Sequence, residues 1–420
     1  MKILQICNDV QSQSGKDWVA EADKRLLKKN GHRIMCVGQD NKKAGNISRY
    51  SLPQSPYMQG MANWNNQSSS APIIQLIHKH RPDVVHVYHT TSMDSLHLYD
   101  TCQKLGIAVI QSLYRYEALC PKSNIFYSNK LCISCIKQSL LKGDMQQKCC
   151  RDNQDQSVDV VKMIRDHWSQ KSFHRNIDYY LVPTVFFKEK LINYGFPDHK
   201  VAVKPLLSED VMPESKEIED YVLFIGKLTE ENGIRTLLNA WSSLPDVPLK
   251  ILGDGQLKQN VIDACSRNAR LSFLGWQSKE DCTHHLAHAL LLVFPKESCE
   301  TFPSTVIKSY AHGVPVIASD LGGMKNLVIE GVSGCLFPPG DAQMLAEKVS
   351  LLWKNRDILI SMREKARAEY EEKYTVEKNY QILINLYQDT LSQKKKIKPR
   401  NATNRNPQYR LYNRNFLQDN

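Results

Sequence analysis

The sequence predicts an α/β protein made of two doubly wound domains that face each other across a cleft. Three observations predict it. Short apolar runs alternate with amphipathic helical stretches along the chain. The runs are apolar at nearly every position, as parallel strands covered on both faces are. The whole pattern restarts once, after VAVKPLLSEDVMPESKEIED, a segment with two prolines and an acidic bias. A length of 420 residues also exceeds what a single core usually holds.

The elements follow in order. KILQICND reads as a strand, DWVAEADKRLLKKNGH as an amphipathic helix and RIMCVG as the second strand. Residues 40–71, rich in Asn, Ser, Gln and Gly, read as a long loop. DVVHVYH, IAVIQSL and DYYLVP complete the first set of strands, and YVLFIG, LKILG, LSFLG, LLLVFP and VPVIAS form the second. The expected division is therefore 1–205 for the first domain, with a cysteine-rich insertion at 120–150, and 206–375 for the second. A long helix is expected at 376–392, followed by a basic, disordered tail at 393–420.

Composition is that of a globular protein, 42% hydrophobic and 24% charged. No window holds the roughly 18 consecutive apolar residues that a membrane span needs. The opening MKILQICND reads as a strand and not as the apolar core of a signal peptide, so a cytoplasmic location is expected. The formal charge is +11, and residues 391–420 carry eight Lys/Arg against one Asp. A solvated tail explains this charge, and attraction to anionic lipid at the inner face of a membrane is the sharper reading. The tail has few aromatics and no nucleic-acid-binding module, so no nucleic-acid partner is expected.

Four glycine-containing turns follow strands of the second half: FIGKLTEENG, LGDGQL, FLGWQ and CETFPSTVIKSYAHG. In the last, Pro303 is expected at the first helical position, where its missing N–H costs nothing. Ser304 and Thr305 would then present free N–H groups to a phosphate. Glu300, on the turn before them, can accept hydrogen bonds from sugar hydroxyls. Phosphate on a helix end with a carboxylate beside it suits a nucleotide sugar.

The stretch ETFPSTVIKSYAHGVPVIASDLGGMKNLVIEGVSGCLFPPGD resembles the donor-binding signature of family-4 retaining glycosyltransferases of GT-B architecture. MKILQICND, SGKDWV and RPDVVHVYH resemble the family's N-terminal domain, and FIGKLTEENG and ILGDGQL its C-terminal domain. The resemblance implies two Rossmann-like domains and transfer of a sugar from a nucleotide diphosphate donor, with anomeric retention and no catalytic metal. Gly15, Gly226, Lys227, Gly253, Gly255, Phe302, Ser304, Thr305 and Lys308 would meet the donor. Glu300, Tyr114 and His89 would stand at the reacting centre. The acceptor expected is a glycan or a lipid-linked sugar, with the enzyme peripheral to a membrane.

Four positions depart from the family's pattern. Lys308 stands where a second glutamate is usual, Asn232 for a lysine, Tyr114 for a histidine and Ser14 for the first of two glycines. Lys308 is expected to replace the charge lost at Asn232. A catalytically silent homologue that binds a glycan or a partner enzyme is the alternative reading, and a sugar-nucleotide epimerase a more distant one.

Cys120, Cys132, Cys135 and Cys149 follow the spacing C-x11-C-x2-C-x13-C. Four thiolates with a Cys-x2-Cys knuckle suit a closed tetrahedral zinc site, structural and not catalytic. Reduced, unliganded thiols are the plainer reading. The insertion resembles one seen in a subset of bacterial surface-polysaccharide glycosyltransferases. Asp17 reads as a cap of the next helix, with a contact to the acceptor as the sharper alternative; His86 and the helical set His284, His285 and His288 read as structural residues, and a structural histidine is also the plainer reading of His89.

Overall fold

The computed structural model describes residues 1–9, 18–39, 49–52, 67–88, 96–114, 126–127, 130–131, 175–207, 218–299 and 302–397. In the first half the strands are β1 (Lys2–Asp9), β2 (Arg33–Gln39), β3 (Arg49–Leu52), β4 (Val84–Val87), β5 (Ala108–Ser112), β8 (Tyr179–Val182) and β9 (Val201–Val203). They form one seven-stranded sheet, in the order β3-β2-β1-β4-β5-β8-β9. Every pairing in it is parallel. A small antiparallel hairpin, β6 (Phe126–Tyr127) with β7 (Lys130–Leu131), lies inside the cysteine-rich insertion. The helices of this half are α1 (Trp18–Lys29), α2 (Gln67–His80), α3 (Leu96–Leu105) and α4 (Val185–Asn193). The expected loop at 40–71 is corrected by β3 and by the start of α2, which both fall within it.

The second sheet has six parallel strands, β10 (Val222–Ile225), β11 (Leu249–Leu252), β12 (Leu271–Gly275), β13 (Leu291–Phe294), β14 (Val316–Ser319) and β15 (Gly334–Phe337). Their order is β12-β11-β10-β13-β14-β15. Around them run α5 (Ile234–Trp241), α6 (Lys258–Arg267), α7 (Lys279–His288), α8 (Ser304–Ala311), α9 (Met324–Leu327), α10 (Ala342–Lys354) and α11 (Arg356–Lys373). Both sheets are covered on two faces, which is why their strands read as unbroken apolar runs.

The last helix, α12 (Val376–Ile397), leaves the second domain and returns to the first. Its buried Leu383, Ile384 and Tyr387 join Ile3, Val84, Ile110 and Leu181 of the first sheet in one core cluster. Residues 383, 384 and 387 fall on one face of a 3.6-residue helix, so α12 is amphipathic in the sense its docking needs. No described helix is long and apolar enough to cross a membrane.

A buried polar network lies under α12. His86 on β4 is 2.6 Å from the Tyr387 hydroxyl through Nδ1 and 2.8 Å from Ser112 Oγ through Nε2. Its ring stacks on Tyr88 with centroids 4.0 Å apart. The Tyr88 hydroxyl donates to Asp23 Oδ2 at 2.9 Å, and Lys204 Nζ donates to Asp23 Oδ1 at 3.0 Å. Burial, and then the Lys204 charge, hold the His86 imidazole well below its ordinary pKa. The folded protein keeps His86 neutral, whereas the unfolded chain takes up a proton near pH 6.5. The resulting stability is full above that pH and is lost as the pH falls below it. By pH 5.5 the loss is expected to be on the order of 1 kcal/mol relative to pH 7.5. Urea titrations at both values check it, and His86→Gln should flatten the dependence by that amount.

Candidate active site

The second sheet changes direction between β10 and β13. From β10 the chain proceeds to β11 and β12 on one side, and from β13 to β14 and β15 on the other. In open α/β sheets a crevice forms outside the carboxyl ends of the strands at such a point, and ligands bind there. A pocket of ≈ 140 Å³ occupies this place, lined by Phe224, Ile225, Gly226, Lys227, Asn232, Phe294, Pro295, Lys296 and Thr305.

Its walls are turns locked to one another through the backbone. The Gly226 N–H donates to Leu252 O at 3.0 Å, and the Leu228 N–H to Asp254 O at 2.9 Å. Gly253 has φ +143°, and a Cβ there would collide with the Gly226 carbonyl. A Cβ on Gly255 would press on the Leu228 backbone. These two glycines therefore let the turn after β11 close against the one that carries Lys227. Across the crevice, Gly233 (φ +71°) lies so close to Pro295 that a Cβ would strike the Pro295 carbonyl. The Glu297 N–H completes that contact by donating to Glu231 O at 2.9 Å.

Thr305 comes from the first turn of α8. The helix starts at Ser304, one residue later than expected, so Pro303 sits at the cap and not inside the helix. Ser304 and Thr305 are the first two helical residues, where N–H groups lack intrahelical acceptors. Asn232 spends its amide on the turn itself, donating from Nδ2 to Lys227 O at 2.9 Å. Lys308 lies one turn further along α8, where its charge is felt by the Cys282 thiol on α7. Phe302 is 7% exposed and belongs to an apolar cluster that also holds Val306, Tyr310 and, from the first domain, Cys7, Val19 and Tyr88. That cluster joins the carboxyl-end region of the first sheet to the second domain.

Tyr114 follows β5, and its hydroxyl is buried close to the His86 network. Burial, reinforced by the Asp23 carboxylate, pushes its pKa well above the ordinary tyrosine value and keeps the hydroxyl protonated. Gly15, His89, Glu300, Cys120, Cys132, Cys135 and Cys149 lie outside the described residues. Sequence reasoning missed Lys296 altogether, although it directly follows the apolar run LLLVFP and so stands at a strand's carboxyl end.

Residues 209–369 match the family described as glycosyl transferases group 1. This stretch contains both walls of the pocket. The chain is 28% identical over 180 residues to the O-antigen chain mannosyltransferase C of Escherichia coli, covering 42% of this chain and 48% of that protein. The match thus spans about half the length of that relative. An uncharacterised glycosyltransferase of Methanocaldococcus jannaschii is 24% identical over 298 residues, 68% of this chain and 76% of its own. Among solved structures, Anabaena HepE in complex with UDP superimposes with a TM-score of 0.66 at 15% identity, covering 93% of this chain and all of that one. The fold is GT-B: two doubly wound α/β domains with parallel sheets.

Proposed function

We propose that this protein is a retaining glycosyltransferase that moves a sugar from a nucleotide diphosphate to a glycan or lipid-linked acceptor, in the building of a surface polysaccharide. The observation that carries the reading is the crevice at the switch point of the second sheet. It combines cationic side chains with the start of a helix, the combination that an anionic diphosphate needs. The nucleotide part is supported by the UDP held by the HepE structure, and the surface-glycan part by the O-antigen mannosyltransferase relative.

In this reading the bond between the sugar's anomeric carbon and the diphosphate oxygen breaks, and one to the acceptor oxygen forms on the same face. The acceptor's proton leaves with the diphosphate, whose growing charge is met by Lys227 and the α8 terminus. Glu300 holds the sugar hydroxyls. A silent, glycan-binding homologue is the second reading, favoured by the use of Asn232 as a backbone latch and by the burial of Tyr114.

The test is a thermal-shift screen of nucleotide sugars, followed by donor turnover with and without candidate acceptors. Glu300→Ala is expected to lower turnover by about a hundredfold, the usual scale for losing one transition-state hydrogen-bonding group, with the melting temperature retained. Wild-type turnover by this variant removes Glu300 from the reaction. Nucleotide-sugar binding without any turnover favours the silent homologue.

A further inference from the structure

We propose that Lys296 is a diphosphate-binding residue: with Lys227 it makes a two-lysine clamp, one cation from each side of the switch-point crevice, on the donor's phosphates. This rests on the transferase reading above and names the residue that completes its phosphate site.

Lys227 follows β10 and Lys296 follows β13, neighbouring strands of one sheet, and both line the same pocket with Thr305. The two turns that bear them are held rigidly. Gly233 brings the turn of Asn232 against Pro295, and the Glu297 N–H bonds Glu231 O. Thr236 Oγ1 donates to Glu297 Oε1 at 2.5 Å, which turns that carboxylate toward α5. Glu230 is likewise engaged, accepting from Arg235 Nε at 2.6 Å. Lys296 therefore rises from a fixed backbone at the wall of the crevice.

The need for a second cation is set by Asn232. Its side chain is neutral, and its amide is committed to the Lys227 carbonyl, so it brings no charge to a bound diphosphate. Lys308 is the substitute expected from the sequence, yet among the described residues it is Lys296, and not Lys308, that lines the pocket. A lysine acts on phosphate as a point charge and needs no fork geometry, so a position on a different turn can take over the role. Lys296 is half-buried, so its charge is felt more strongly than that of a fully exposed lysine and is still open to screening by salt.

The experiment titrates the wild type with UDP, GDP and ADP, then takes the tightest binder and its nucleoside forward to Lys296→Ala, Lys296→Arg and Lys308→Ala. Lys296→Ala is expected to weaken diphosphate binding by about tenfold, with nucleoside binding, followed by ligand-observed NMR, unchanged. Lys296→Arg keeps the charge and should retain most of the affinity. The loss in Lys296→Ala should shrink at high salt. If Lys296→Ala melts early, Lys296→Met, which keeps the apolar stem, takes its place. Wild-type diphosphate affinity in Lys296→Ala, or in the Lys296→Met that replaces it, overturns the proposal, as does an equal loss of nucleoside binding. A tenfold loss with Lys308→Ala and none with Lys296→Ala assigns the second cation to Lys308 instead. If the wild type binds none of the three diphosphates, the transferase reading itself fails and the clamp falls with it.

Discussion

Lys204→Met is expected to lower folding stability by about 3–5 kcal/mol, because it strands a buried carboxylate. The side chains of Lys204 and Asp23 are 1% and 0% exposed, and their charged atoms are 3.0 Å apart. Without the ammonium, Asp23 keeps the Tyr88 hydroxyl as a donor but has no countercharge. Burying a charge without its partner costs more than the pair contributes when intact. Replacing both residues, as in Asp23→Leu with Lys204→Met, should therefore recover much of the loss. Urea denaturation of the two variants measures this, and a single variant within 1 kcal/mol of wild type would show that water reaches Asp23. If His89 has its proposed role, the consequence extends to the site. Asp23 holds Tyr88, which also accepts from Gln5 Nε2 at 3.0 Å and directly precedes His89 in the chain. The single variant should thus lose transfer activity even below its melting temperature.

Central strands were legible in the sequence because two covered faces leave no polar alternation to obscure them. Of the two large sheets, the strands not read were β3, β9 and β15, and each is the last strand at one end of its sheet. Edge strands are short and pair on one side only. RYSL carries an Arg and a Ser, VAV was absorbed into the proline-bearing segment between the domains, and GCLF begins with a glycine. The glycine turns of the second half were legible for a stronger reason. Each follows a strand, and only glycine permits the backbone approaches seen at Gly253 and Gly233. Nothing in the local pattern revealed the Asp23–Lys204 pair. One residue lies on an amphipathic helix and the other beside a proline, where charged side chains usually face water. Their pairing is a property of tertiary packing across 181 positions of chain. Lys296 escaped for the opposite reason: it sits in an obvious place, but a single lysine after a strand signals nothing until the opposite wall of its crevice is known.

Gly233→Ala is expected to destabilise the second domain by roughly 3 kcal/mol or more and to weaken diphosphate binding further than Lys296→Ala does. Two costs combine. At φ +71° an L-residue is held in the left-handed region, which costs an alanine about 1 kcal/mol relative to glycine. The added methyl group would also strike the Pro295 carbonyl, a backbone atom that cannot rotate away. The turn of residues 230–232 and the turn of 295–297 must then separate. That motion strains the Glu297 N–H bond to Glu231 O and the Thr236 bond to Glu297. It moves Asn232 and Lys296 apart, so two sides of the pocket are disturbed by one methyl group that touches no ligand. Gly331 has a similar φ of +72° but has nothing within 4 Å of its hypothetical Cβ. Gly331→Ala therefore carries the backbone cost alone, about 1 kcal/mol. Thermal denaturation and nucleoside diphosphate titration of both variants separate strain from collision. Equal destabilisation by the two would show that the Gly233–Pro295 approach relaxes freely, and unchanged diphosphate affinity in Gly233→Ala would show that the two turns need not meet for the phosphate site to form.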